Sequence, residues 1–169
     1  MPAVNERIRM LRTLLGGALA LAVVANATLV ACAQDVPVPA QCTPQVNAHL
    51  SDLIASNRTG EVDNVMVCGT TISASRTQRG GPHGNHEILP LRVHFPDGSA
   101  QLIQVVINDS LDGKVTAPAH AAVFAFGQYF NDGPGGHFAA GIHDVHCSTH
   151  RGADNGWVVV NGTKTPASC

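Results

Sequence analysis

A strict two-residue alternation sets the strongest limit on what this chain can fold into. Leu89, Leu91, Val93 and Phe95 are spaced by Pro90, Arg92 and His94. The turn Pro96-Asp97-Gly98 follows, and Ile103, Val105 and Ile107 then alternate again. Period two is the side-chain period of a strand, and Pro-Asp-Gly is turn chemistry, so the segment reads as a β-hairpin with one apolar face. That face needs cover, which other strands or a helix must supply. With 44% hydrophobic and 13% charged residues in 169, the composition suits one compact domain and excludes a disordered acidic or basic chain. Only 4% aromatics, with seventeen Gly and ten Pro, favour short strands and turns over a helical bundle.

The cover is legible on both sides of the hairpin. Upstream, Thr43-Pro44 is a helix start, with Thr43 as N-cap and Pro44 at the first helical position. Val46, Leu50, Leu53 and Ile54 then form one apolar stripe on a helix that ends before Gly60. Val65 and Val67 begin a strand that runs to Ile72, and residues 76–85, with Gly80-Gly81-Pro82, read as a mobile loop. Downstream, residues 108–118 are a polar connection with room for a short helical turn. Strands are expected from His120 to Phe130 and from His137 to Val145, parted by the turn at residues 131–136. Trp157 to Val160 precedes Asn161-Gly162, the dipeptide of a type I′ hairpin turn. The fold class is therefore mainly β: one amphipathic helix, then five or six short strands closing into a small barrel or packing as a sandwich.

The amino terminus carries an export pattern. Arg7, Arg9 and Arg12 precede the apolar run from Leu14 to Ala25, which is too short and interrupted to span a membrane and reads as a secretory signal over residues 1–31. Leu29-Val30-Ala31-Cys32 resembles a lipobox, in which Cys32 is lipidated and becomes the new amino terminus. Ala31-Cys32-Ala33 also fits ordinary cleavage after Ala33. Residues 32–41, with Pro37 and Pro39, read as an extended tether, and residues 42–169 as a single β-rich domain. Cys42, Cys68, Cys147 and Cys169 remain in that domain, an even number that in an oxidising compartment implies two disulfides in one of three connectivities. Starting at Cys32, the chain keeps seven basic and eleven acidic residues, a net charge of -4, so a nucleic-acid partner is not expected.

All nine histidines also remain, and four of them fall in the segment from His137 to His150. His143, His146 and His150 with Asp144 are residue types that hold zinc or copper in exported proteins. On a regular strand His143 and His146 would point to opposite faces, so a joint site requires a bulge or a turn. Cys147, if bridged, is denied to a metal. No H-E-x-x-H, G-x-S-x-G or C-x-x-C occurs, so zinc-protease, serine-hydrolase and thioredoxin-type chemistry have no signature here.

Gly127-Gln128-Tyr129, Gly135-Gly136, Ile142-His143-Asp144-Val145-His146, Arg151-Gly152, Gly156-Trp157 and Asn161-Gly162 stand in an order that resembles the C-terminal signature of a family of small exported bacterial proteins of unknown function. Asn85-His86-Glu87 is similar to an upstream segment of that family, whereas Ile107 stands where the family has His, and Asp144-Val145 replaces Trp-Thr. The resemblance implies a small OB-type barrel and no defined reaction. It draws attention to His86, His143, His146 and Trp157 as a polar cluster for binding or stability. The expectation is a non-enzymatic envelope module that binds a small ligand, a metal or a protein partner, anchored through Cys32 in the outer membrane and facing the periplasm, or soluble in the periplasm or secreted. The alternative is a metal-binding protein or hydrolase in which His143 or His146 acts as general base beside Asp144 or Asp109.

Overall fold

The alternation that marks the hairpin also builds a closed barrel. The computed structural model describes residues 33–80, 84–133 and 135–169; the signal segment, Cys32, His83 and Pro134 lie outside the described residues. In chain order the elements are a 3-10 turn (Pro44–Asn47), α1 (Ala48–Ala55), β1 (Val62–Thr71), β2 (Arg76–Gln78), β3 (His86–His94), β4 (Ala100–Asn108), α2 (Asp109–Asp112), β5 (Ala122–Phe130), β6 (Ala140–His143), β7 (Trp157–Val160) and β8 (Thr163–Thr165). β1, β3, β4, β6 and β5 are neighbours in that order, and β5 returns to pair with β1, closing five strands into an OB-like barrel. β4 and β6 run parallel and the other barrel pairs are antiparallel.

Strand alternation fills the interior. Val65, Val67, Leu89, Leu91, Val93, Ile103, Val105, Ile107, Val123, Ala125, Ala140 and Ile142 are all fully buried, each larger side chain stabilising by about 1.5–3 kcal/mol. Leu50 of α1 joins this core. Thr43 occupies the N-cap position without a capping side-chain bond. The buried Asn47 ties the helical segment down instead: its Nδ2 donates to the carbonyls of Cys68 (3.1 Å) and His94 (3.0 Å), and its Oδ1 accepts from Cys68 N–H at 2.8 Å.

Three segments differ from the sequence expectation. Residues 76–78, expected in a loop, form β2 against β3, because Glu87 reaches back to accept from Ser75 Oγ (2.6 Å) and Thr77 Oγ1 (2.8 Å). β6 ends at His143 rather than Val145, since Asp144 adopts a left-handed backbone (φ 53°) that no strand continues through. The stretch read as a tether is docked at its start: Asp35 bridges to Asn155, and Val36 packs into a second apolar cluster with Phe126, Trp157 and Val159 on the outside of the barrel. The Asn161-Gly162 hairpin turn between β7 and β8 has both residues at positive φ, as type I′ requires.

The disulfides are Cys42–Cys68 and Cys147–Cys169. One fastens the segment before the helix to β1, and the other fastens the C-terminal residue to the loop after β6. Each closes a loop of 26 or 22 residues, worth roughly 3 kcal/mol by the chain-entropy account. Two such bridges place the folded part in a non-reducing compartment. Among the described residues no helix is long and apolar enough to cross a membrane.

Candidate functional site

The turn that a joint histidine site requires is supplied by Asp144. After its left-handed residue the chain sends Val145 back into the core, fully buried, so that His143 and His146 flank Asp144 instead of diverging. Asp144 Oδ1 lies 3.4 Å from His143 Nδ1 and 3.7 Å from His146 Nε2. His146 Nδ1 lies 2.8 Å from the Cys147 carbonyl; a carbonyl only accepts, so this nitrogen carries the proton. His143 Nε2 faces Glu61 Oε1 at 3.7 Å, without a hydrogen bond, and the imidazole meets the Phe130 ring edge-on at 5.1 Å.

Two glycines make this turn possible. A Cβ at Gly127 would collide with the His143 carbonyl, and one at Gly156 with the Asp144 carbonyl. The glycines of the G-x-Y and G-W pairs are therefore set by close backbone approach to the histidine turn.

His150 lines one small recess with Asp144 and His146. Its Nε2 stands 3.7 Å from Asp63 Oδ1, an oxygen that also accepts from Gln128 Nε2 at 2.6 Å. Among the described residues no group of three or more His, Cys, Asp or Glu is arranged to hold a metal ion, and Cys147 is bridged. Trp157 also stands apart from the histidines: its indole N–H donates to the Val36 carbonyl at 2.8 Å and its ring stacks near Phe126. Asp112 was not singled out by sequence, yet it interacts electrostatically with Asp144 and His146 of this turn and with His86. Burial pushes its carboxyl above the usual carboxylate range. The Asn108 N–H and the imidazoles of His146 and His86 oppose that rise, and the Asp144 carboxylate adds to it.

His86 belongs to a different feature, a groove on the outer face of β3 and β4. Ile88 and Val106 form an apolar floor, Phe130 and Phe138 stand beside it, and Arg76, His86 and His137 line it with donors. The groove is an open one of about 480 Å³, within the size of ordinary ligand sites. Its one carboxylate, Asp132, is engaged, with Oδ1 accepting from Gln104 Nε2 (2.9 Å) and Oδ2 from Phe138 N–H (3.3 Å). Val106 and Phe130 also line an adjoining recess with Glu61 and His143, so the groove leads toward the histidine turn. The β2–β3–β4 face and the loop between β5 and β6 that frame it are the surfaces OB-type barrels use for ligands. Sequence reasoning missed the groove because its lining comes from four separate segments, and only His86 among its residues had been singled out.

Comparison with known families, curated proteins and solved structures finds no match for the chain.

Proposed function

We propose that the chain is an exported binding module of the cell envelope, and that its ligand is a small amphipathic anion seated in the groove over β3 and β4. One observation carries this reading. The groove sets the apolar Val106, Phe130 and Phe138, over a nearly buried Ile88, beside the donors Arg76, His86 and His137, and the Asp132 carboxylate is turned onto Gln104 Nε2 and the Phe138 N–H. A ligand that buries apolar surface and presents a carboxylate or phosphate to Arg76 satisfies both halves. The export pattern and the disulfides support an envelope location, with Cys32 as a lipid-anchored amino terminus or with cleavage after Ala33 releasing the domain to the periplasm.

Calorimetric titration with decanoate, with the neutral amphiphile decyl maltoside as counterpart, tests the reading. Decanoate is expected to bind more tightly than decyl maltoside, and Arg76→Ala to weaken decanoate about tenfold, the loss of roughly 1.4 kcal/mol of charge-assisted bonding. Equal affinity for both amphiphiles, or no heat from either, overturns it.

A second reading, metal binding or hydrolysis at His143 and His146, draws on their shared approach to Asp144 Oδ1. Zinc and copper titration of the domain and of a His143→Ala/His146→Ala variant separates it from the first. Stoichiometric uptake that vanishes in a folded variant moves the function to the histidine turn.

A further inference from the structure

The segment just after Cys32 is gripped by the barrel. Gln34 N–H donates to Asp154 Oδ1 at 3.1 Å, and the Gln34 carbonyl accepts from Asn155 N–H at 2.9 Å. Asp35 Oδ1 accepts from Asn155 Nδ2 at 2.9 Å, and the Val36 carbonyl takes the Trp157 indole N–H. The gripping loop is itself braced. Asn155 Oδ1 accepts from Ser148 N–H, Asn64 Oδ1 accepts from Asp154 N–H, and Asn64 Nδ2 donates to the Gly152 carbonyl. The Cys147–Cys169 bridge closes the start of the same loop.

We infer that this grip seats the barrel on the bilayer, with the loop 148–154 as the surface that meets lipid headgroups. The inference rests on the reading that Cys32 carries the lipid. Two peptide units join Cys32 to Gln34, so their Cα atoms are at most about 7 Å apart, whereas a free tether from Cys32 to the disulfide at Cys42 would reach roughly 35 Å. Docking thus replaces a long leash by a short one that ends on the loop. The loop surface beside Ala33 is made of Ser148, Thr149, His150, Arg151 and Asp154. These are small or polar side chains suited to the headgroup layer and not to insertion among acyl chains.

The test uses the full chain purified with its anchor and reconstituted in vesicles of phosphatidylcholine and phosphatidylglycerol that contain a headgroup spin-labelled lipid. A fluorophore on Thr149→Cys is expected to be quenched several-fold more than on the same protein made soluble by Cys32→Ala. Gln34→Pro/Asp35→Gly/Val36→Gly, which removes the Gln34 N–H donor, the Asp35 carboxylate and the Val36 side chain from the grip without altering a barrel strand, is expected to cut that quenching by at least half. Equal quenching with and without the grip overturns the inference, as does an unquenched probe on a chain whose mass shows lipid on Cys32. A mass corresponding to an unlipidated chain that begins at Gln34 overturns the anchor reading itself, and the inference with it.

Discussion

Asp144 turns a strand end into a cluster of side chains. Its left-handed backbone brings His143 and His146 to one carboxylate, and Gly127 and Gly156 leave room for the carbonyls of that turn. Gly156→Ala is expected to destabilise the fold by about 2 kcal/mol, since its Cβ meets backbone that cannot swing aside; the urea midpoint reads this, and an unchanged midpoint contradicts the close approach. Asp112 gives a pH-dependent counterpart. Its folded carboxyl holds its proton above the ordinary value of 3.8, so the folded state binds more protons than the unfolded chain over that interval. Stability therefore falls as pH rises through it, and the deficit persists at neutral pH. Asp112→Asn keeps an acceptor for the Asn108 N–H and is expected to be more stable than the native protein near neutral pH, with the difference gone well below 3.8. Paired urea titrations at the two pH values check it. The His143 and His146 spacing was legible in the sequence, as was the need for a turn between them. The carboxylates that face this region were not, because Asp63 at the start of β1 and Glu61 just before it lie some eighty residues away, and strand periodicity is silent on such pairings.

At the scale of elements, the fold depends on a few polar ties between segments whose apolar faces alone would leave the register loose. Asn47 is the clearest. It satisfies the Cys68 N–H and two carbonyls from inside the helical segment, so Asn47→Ala leaves buried backbone groups unpaired and is expected to cost about 3 kcal/mol, measured by chemical denaturation. A cost under about 1 kcal/mol would mean that water replaces the amide. The hairpin of β3 and β4, the strands β1 and β5, and the Asn161-Gly162 turn were legible because alternation and turn chemistry are local. β2 was hidden because its pairing is decided by Glu87, a buried carboxylate on the neighbouring strand, and not by its own Arg-Thr-Gln. The docking of residues 34–36 was equally hidden, since two prolines nearby read as a stiff spacer and the acceptors of the grip lie at Asp154, Asn155 and Trp157.

Across the whole molecule, closure leaves the two faces of β3 and β4 with different tasks. The inner face, with Leu89, Leu91, Ile103 and Val105, is consumed by the core, and the outer face, with His86, Ile88, Gln104 and Val106, lines the groove. The barrel was readable as a class from strand number and alternation, whereas the groove emerges only when β2, the end of β5 and the loop before β6 are placed around that face. The domain after Cys32 is acidic overall, and in the groove Arg76 and Asp132 stand with two histidines around an apolar floor. The most direct test of binding at the groove is a decanoate titration of the ¹⁵N-labelled domain followed by amide chemical shifts. Ligand seated in the groove is expected to give saturable shifts concentrated at Arg76, His86, Ile88, Val106, Phe130 and His137, abolished or strongly weakened in Arg76→Ala. Saturable shifts confined to residues 143–154, or none at all, would contradict it.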